Sequence, residues 1–309
     1  MSIAVSGEYR LAVLAGACAD NRNKRQRKPM KVVTHSGRFH ADEVFALAML
    51  ARIESLDIER SRDPEVIEAA DMVLDVGHEY APEQGRFDHH QNSFTLTRDN
   101  AIPYATAGLV WHHFAEPILA EAGLTLAHQQ AHAKQWVDQK LIQDVDAVDN
   151  GLYNNEPRPT VSMILGMMNA SATDALEQQQ AAFKQALACA EQVLAQFIQA
   201  AVKEAQALDV LQAALAQTQE GIMVLDETLP YKDFIRHHPE VKRVVYPKGS
   251  EGYGVYCNQS ENHLPPKFRG LRGADLAEVS GLDDAVFCHK SGFMCVMGSF
   301  ESAMAMARS

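Results

Sequence analysis

Histidines and carboxylates gather in four short stretches of this 309-residue chain. They are the run from His35 to Glu43 (HSGRFHADE), Asp75 within VLDVG, Asp88-His89-His90, and Asp146 with Asp149 within VDAVDNG. Mixed imidazole and carboxylate donors suit Mn, Zn or Fe, whereas an all-oxygen set suits Mg or Ca. Two divalent ions about 3.5–4 Å apart can activate a water, hold an in-line geometry and neutralise developing charge on a phosphodiester. The four stretches therefore point to a metal-dependent hydrolase of phosphate esters or anhydrides.

His35, His40 and Asp42 stand at i, i+5 and i+7 in one loop, which Gly37 frees to fold all three toward a common centre. Asp75 follows an apolar run, where a buried carboxylate without a partner is costly. It is the candidate bridge between two ions; taken alone it would read as an Asp capping the next turn. In Asp88-His89-His90 one histidine, His89, is expected on metal and His90 toward the substrate, with Asp88 orienting a ring. His112-His113 and His237-His238 lack the preceding Asp, and paired histidines alone carry little weight. Asp146 and Asp149, three apart, share one face of a helix. One completes the ligand set and the other caps the turn into Asn150-Gly151; the spacing leaves open which.

The elements that must position these groups follow from the apolar pattern. Lys31–His35 and Met72–Val76 read as buried strands, and Gly85–His89 as a third. Glu43–Ile53 reads as a buried helix, with Asp42 at its N-terminus. Pro103–Glu121 and Thr125–Ala147 also read as helices, and Leu152–Pro159 as a loop. Strands alternating with helices predict a mostly parallel sheet covered on both faces. Ligands of such sheets bind beyond the carboxyl ends of the strands, where His35, Asp75 and Asp88–His90 fall. Residues 171–217 read as a long helix with Ser171 or Thr173 as N-cap; Leu176, Phe183, Leu187, Ala190, Leu194, Phe197, Ile198 and Ala201 mark one apolar stripe, a packing face. From Gly221 short strands separated by Gly, Pro and Asn predict a second, smaller α/β domain. The expected organisation is a disordered extension over 1–29, a metal-binding catalytic domain over 30–165, a helical connection over 166–220 and a substrate-binding domain over 221–309. Met30, directly before the first strand, is an alternative start of translation.

Net charge is −12 and unevenly spread: 6 Lys/Arg against 2 acids over 1–30, 12 against 27 over 31–220, and 10 against 11 over 221–309. The acidic body argues against broad non-specific DNA binding, which needs basic surface. It does not exclude a nuclease, because bound ions reverse the local charge. No apolar run is long enough to span a bilayer. The five cysteines are scattered without a CxxC pair, as reduced thiols of a cytoplasmic protein would be.

These residues resemble the DHH phosphoesterase superfamily, named for the triplet at 88–90. Within it the chain is most similar to the melanocyte proliferating gene 1 protein family, through HSGRFHADE, VLDVG, FDHHQ, VDAVDNG, PPKFRGLRG and FCHKSGFMC. The resemblance covers residues 30–302. It implies an N-terminal DHH domain joined to a smaller C-terminal domain, Mn²⁺-type dinuclear phosphoester hydrolysis, and 3′–5′ exoribonuclease activity; an older label for the family is metal-dependent protein hydrolase. The first motif departs from the superfamily pattern of a His followed by Asp at i+4 and i+6: the spacing is one longer and His40 replaces the first Asp. Removing one negative charge favours a softer ion and leaves metal identity and occupancy open.

In the second domain Arg269 and Arg272 of FRGLRG, with Lys267, can fork around phosphate oxygens, and the resemblance favours that over a solvated turn. His289, Ser291 and Gly292 of HKSG are candidates for a substrate loop, since a Gly beside a strand permits close approach; the alternative is an ordinary tight hairpin. Arg38, inside the metal loop, is a further phosphate contact. Cys288 and Cys295 are expected in the core. The expected substrate is RNA or a short oligonucleotide. The rival readings are hydrolysis of a dinucleotide or pyrophosphate, and a non-catalytic nucleotide- or RNA-binding module with one structural metal, whose closed sphere would need fewer ligands than are present.

Overall fold

The computed structural model describes residues 28–152 and 158–309. The N-terminal extension to 27 and most of the Leu152–Pro159 loop lie outside the described residues, as does the start of translation. The described chain divides into two units, the first ending at Val202 and the second running Lys203–Ser309.

The first unit opens with β1 (Met30–Thr34), followed by α1 (Ala41–Ile53), β2 (Leu56–Arg60), α2 (Pro64–Glu68), β3 (Met72–Leu74), β4 (Tyr80–Ala81) and β5 (Arg86–Phe87). The strand order is β2-β1-β3-β5-β4. The β1–β2, β1–β3 and β3–β5 pairs are parallel, and β4–β5 is antiparallel. Val32 and Val33 of β1 are fully buried, as a central strand of a two-sided sheet requires. β2 was not expected from the sequence. It is an edge strand whose LDIER pattern alternates half-buried and exposed positions, and its charges blunt the open edge. The third expected strand, Gly85–His89, shortens to two residues.

Registers Thr34↔Leu74 and Leu74↔Phe87 align the carboxyl ends of β1, β3 and β5. The next residues along the chain are His35, Asp75 and Asp88, so parallel pairing alone brings three of the four stretches together. The fourth arrives on helices. α3 (Thr106–Glu121) packs on α1. α4 (Ala127–Val137), a π-helical turn at Asp138–Ile142 and α5 (Gln143–Asp149) then form one continuous helical run. α6 (Val161–Gly166) is short, capped by the Thr160 hydroxyl accepting from the Met163 N–H at 3.1 Å.

α7 (Leu176–Ala216) is 41 residues long, and the division between units falls inside it. Phe183, Ala190, Leu194, Ile198 and Ala201 of the expected stripe are buried, while Leu176 at its start is exposed. Neither Ser171 nor Thr173 caps it. The helix starts later, and the Ala175 N–H is taken up by the Gln178 side chain at 3.1 Å, while Ser171 and Asp174 close a separate turn.

The second unit carries β6 (Ile222–Val224), α8 (Lys232–Arg236), β7 (Arg243–Pro247), β8 (Tyr253–Cys257), α9 (Gly273–Ser280), β9 (Ala285–Cys288), β10 (Met294–Met297) and α10 (Phe300–Ala307). Its sheet order is β6-β7-β8-β10-β9, with β6–β7 parallel and the other pairs antiparallel. Val245, Val255, Leu276, Cys288, Cys295 and Met297 share one core. The protein is thus α/β, with a parallel-rich first sheet and a second sheet near the C-terminus. Among the described residues, no helix is long and apolar enough to cross a membrane.

Candidate metal centre

Asp75 is the hub. It sits immediately after β3 with φ of 58°, in the left-handed region that a non-glycine residue rarely adopts, and His78 repeats this at 56°. The turn aims the carboxylate back across the strand ends. Its Oδ2 lies 3.4 Å from His35 Nε2, and its Oδ1 lies 3.5 Å from both His89 Nε2 and His90 Nδ1. Thr106 Oγ1 donates to Asp75 at 3.4 Å.

Three overlapping sets of side chains each bring their ligand atoms within 4.8 Å of one another: His35, His40, Glu43 and Asp75; Asp75, His89 and His90; and Asp42, His89 and Asp149. Asp75 and His89 each belong to two sets. Asp149 Oδ2 approaches His89 Nε2 at 3.2 Å, and Asp149 Oδ1 approaches His40 Nδ1 at 3.8 Å. Asp42, wholly buried, accepts the N–H groups of Thr106 and Ala107 at 2.9 and 2.6 Å. The free N–H groups of the first turn of α3 thus hold a carboxylate that the sequence placed only by loop spacing.

Asp146 is elsewhere. It is buried, 2.8 Å from Arg98 Nη2, and accepts the Gly108 N–H at 2.9 Å. Arg98 also forks onto Asp138 of the π-helical turn at 2.7–3.2 Å. A Cβ at position 108 would collide with Asp146 and Arg98, so glycine is what lets α3 and α5 approach. Neither Asp side chain caps the turn after α5. The Asn150 side chain does so, donating to the Asp146 carbonyl at 2.8 Å, and Gly151 takes positive φ.

Glu43 was counted in the HSGRFHADE stretch but given no role. It lies fully buried, 3.0 Å from His35 Nε2, and accepts the His40 N–H at 3.0 Å. The signal was its place in HADE, hidden by its fit as an ordinary first-turn acid of α1. Two further supports carry no sequence signature. Arg60 donates to the carbonyls of His35 and Gly37 at 3.3 and 2.6 Å, its guanidinium stacked 4.4 Å from the Phe183 ring. Asn169 clamps the Phe39 backbone reciprocally, accepting at 2.9 Å and donating at 2.8 Å.

The electrostatics follow from packing opposite charges out of water. Burial opposes charge on His35, but the carboxylates of Asp75 and Glu43 outweigh it and raise its pKa to about 10. His89 rises to about 11 in the same way, burial being overcome by Asp149 and Asp75. Asp75, despite burial, is held below the usual carboxylate range by these imidazoles. Asp42 is pushed up by burial and by its Asp149 and Asp75 neighbours. Asp146 rises to about 7 through burial, which Arg98 only partly offsets. Asp88 accepts the His78 and His90 N–H groups and lies 2.7 Å from His90 Nδ1; this contact raises the His90 pKa against the opposing effect of burial.

Two observations fit a divalent cation at these sets. The donor atoms are the mixed imidazole–carboxylate kind that transition metals take. And Nε2 of both His35 and His89 is buried with no hydrogen-bond partner among the described residues, though carboxylate oxygens stand 3.0–3.5 Å away. Polar atoms are rarely left this way unless an unseen partner satisfies them.

In the second unit, Arg269 Nε donates to the Leu264 carbonyl at 2.7 Å, and Leu264 and Gly292 are joined by a 2.9 Å backbone bond. A Cβ on Gly292 would strike Arg269. FRGLRG and HKSG are therefore in contact. His289 Nδ1 and Ser291 Oγ are 2.9 Å apart within the hairpin, Arg272 lies 5.6 Å from the Phe287 ring, and Lys267 lies 4.7 Å from that of Phe268.

The family described as MYG1_exonuc, uncharacterised protein family UPF0160, matches residues 31–309. A curated relative named MYG1 exonuclease, from Homo sapiens, is 32% identical over 323 residues, covering 91% of this chain and 85% of that one. A MYG1 protein of Chlamydia pneumoniae is 28% identical, covering 91% and 96%. A solved structure of PggH, a pGpG-specific phosphodiesterase from Vibrio cholerae, matches at 14% identity with a TM-score of 0.26, too slight a likeness to bear on the fold. With the family match spanning both units and all four ligand stretches, this chain belongs to the MYG1 exonuclease family.

Proposed function

We propose that the protein is a metal-dependent phosphodiesterase, a 3′–5′ exonuclease acting on RNA or short oligonucleotides. The observation that carries this reading is the convergence of three ligand sets on Asp75 and His89 at the carboxyl edge of the first sheet. The exonuclease names of the relatives support it. His35, His40, Asp42, Asp75, His89 and Asp149 would hold the metal, with Glu43 as a further donor to the His35 side; two Mn²⁺ are the ions such a donor set favours over Mg²⁺, with Zn²⁺ and Fe²⁺ its competitors. Bound there, divalent ions supply an activated water and neutralise charge on the phosphoryl oxygens.

The chain's own residues supply the rest. Asp88 engages His90 Nδ1, which leaves Nε2 as the free ring nitrogen, and the half-exposed ring can meet a substrate. The Asp88 carboxylate shifts the His90 pKa upward, which favours the protonated ring. As the P–O bond breaks, His90 Nε2 gives its proton to the departing oxygen or hydrogen-bonds a phosphoryl oxygen. Arg38, within the ligand loop, is proposed to meet phosphate. Lys267, Arg269, Arg272 and the His289–Gly292 hairpin are proposed to bind the substrate from the second unit.

The test is a metal screen. Protein stripped with EDTA regains hydrolysis of a 3′-end-labelled oligoribonucleotide when Mn²⁺ is added, and Asp75→Ala does not. Full activity of Asp75→Ala, or of the stripped protein, overturns the reading. The net charge of −12 favours short substrates over long RNA. Faster turnover of a dinucleotide than of a 20-mer would identify that preference.

A further inference from the structure

Beside the ligand sets the first unit contains a cleft of about 500 Å³, within the range of small-molecule pockets. His40, Asp42 and Asp149 are among its lining residues, so the cleft adjoins the candidate metal centre. One wall is built by α6 and the residues before it, a segment to which the sequence reading gave no role.

That wall has an unusual composition for the surface of an acidic protein. Met163 and Met167, four apart and therefore on one face, are 55% and 68% exposed. Arg38 and Arg158 supply positive charge at the same cleft, and Arg38 is tied to the wall through the Gly166 carbonyl at 3.3 Å. Each feature is unfavourable in isolation. Thioethers facing water lose apolar burial, and like charges in one cleft repel. One ligand resolves them together: a planar apolar ring joined to an anion. Methionine sulfur is polarizable and packs well on aromatic rings, and guanidinium groups match phosphate.

We propose that this cleft is a mononucleotide subsite. The base of one nucleotide lies on Met163 and Met167, and Arg38 and Arg158 take the phosphate next to the bond that is cut. A base gripped by its face is recognised with little regard to sequence. The cleft holds one nucleoside unit, which limits the first unit to a chain end or a short oligonucleotide. The proposal rests on the phosphodiesterase reading for the identity of the adjoining centre, but its binding test does not.

The test is calorimetric binding of adenosine 5′-monophosphate, adenosine 3′-monophosphate and ribose 5-phosphate to the full chain, with and without Mn²⁺. At least one adenosine monophosphate binds about tenfold more tightly than ribose 5-phosphate, the increment expected of one stacked base. The exposed double variant Met163→Ser/Met167→Ser loses that increment and leaves ribose 5-phosphate binding unchanged. Arg158→Gln weakens all three ligands. Equal binding of adenosine monophosphates and ribose 5-phosphate by the parent protein, or an unchanged increment in the methionine variant, overturns the subsite. Failure of the phosphodiesterase reading is seen separately, as intact mononucleotide binding in a protein that takes up no Mn²⁺ and cleaves nothing.

Discussion

The carboxyl edge of the first sheet and the paired loops of the second unit carry similar residue types in opposite states. At the sheet edge, His35, Asp42, Glu43 and Asp75 are buried, the backbone at Asp75 is left-handed, and two imidazole nitrogens have no hydrogen-bond partner among the described residues. In the second unit Arg272 and Ser291 are exposed, Arg269 and His289 half-exposed, and their polar atoms find local partners: Arg269 bonds Leu264, and His289 bonds Ser291. Folding alone accounts for the second arrangement. In the first, burial and strain act against stability, a cost that a bound cation would offset. The difference teaches that substitution at the sheet edge should change what the protein binds, while substitution in the loops should change how well it binds.

The largest expected effect is at Asp75. Removing a metal centre forfeits several kcal/mol of transition-state stabilisation, so Asp75→Ala should lose about a thousandfold or more in kcat/KM together with Mn²⁺ uptake, read by kinetics and elemental analysis. The two helical aspartates then separate structure from function within four residues. Asp146→Ala takes the acceptor from the buried Gly108 N–H and one of two carboxylates from Arg98, which keeps Asp138, and should cost about 1–3 kcal/mol of stability, visible as a lowered denaturant midpoint. Asp149→Ala should retain the midpoint and lose metal. Equal midpoints for the two variants would break the contrast between buried scaffold and ligand. Asn169→Ala, which releases the Phe39 backbone clamp, should lower metal affinity about 10–100-fold, as other supports behind ligands do.

The pH response separates the metal-free from the metal-bound protein. His35 and His89 have pKa values raised to about 10 and 11, so their contribution to metal-free stability is fully present below the unfolded value of 6.5 and is lost as pH rises through 10–11. Asp75 is shifted down, so its contribution is present above its unfolded value of 3.8 and is lost on acidification. The histidine–Asp75 cluster should therefore stabilise the metal-free chain most between about pH 4 and 6.5. Metal ligation needs neutral imidazoles, so Mn²⁺ uptake should release protons and strengthen with pH. Calorimetry in buffers of different ionisation enthalpy reads this directly; no buffer dependence would mean that the two imidazoles do not ligate.

Much of this was legible in the sequence, for identifiable reasons. Strand ends announce themselves by apolar runs, and parallel pairing fixes their order, so His35, Asp75 and Asp88–His90 could be placed at one edge before any coordinates. Asp146 and Asp149 could not be separated, because what decides between them is Arg98, some fifty residues away, and the missing side chain of Gly108. Glu43 was given no role because an acid in a first helical turn needs no special explanation. Arg60 and Asn169 act on backbone atoms, and such contacts leave no periodic trace. β2 went unseen because an edge strand rich in charge reads as loop.

The smallest expected effect lies in the second unit and sharpens the contrast most. Arg269 and Arg272 are three apart in sequence but differently engaged: Arg269 is bonded through Nε to the Leu264 carbonyl and wedged against Gly292, whereas Arg272 is exposed with its guanidinium near the Phe287 ring. If both only bind phosphate, each replacement by Gln should raise KM for an oligonucleotide with kcat nearly unchanged, the signature of binding lost equally from ground and transition states. Arg272→Gln should do this alone, by about two- to fivefold, because an exposed charge–phosphate contact contributes on the order of 0.5–1 kcal/mol. Arg269→Gln should add a loss of thermal stability, because the Nε donation and the packing against Gly292 both go. A fall in kcat from Arg272→Gln, without a change in stability, would instead place that exposed guanidinium among the groups that act in the transition state, and the two regions would no longer differ in kind.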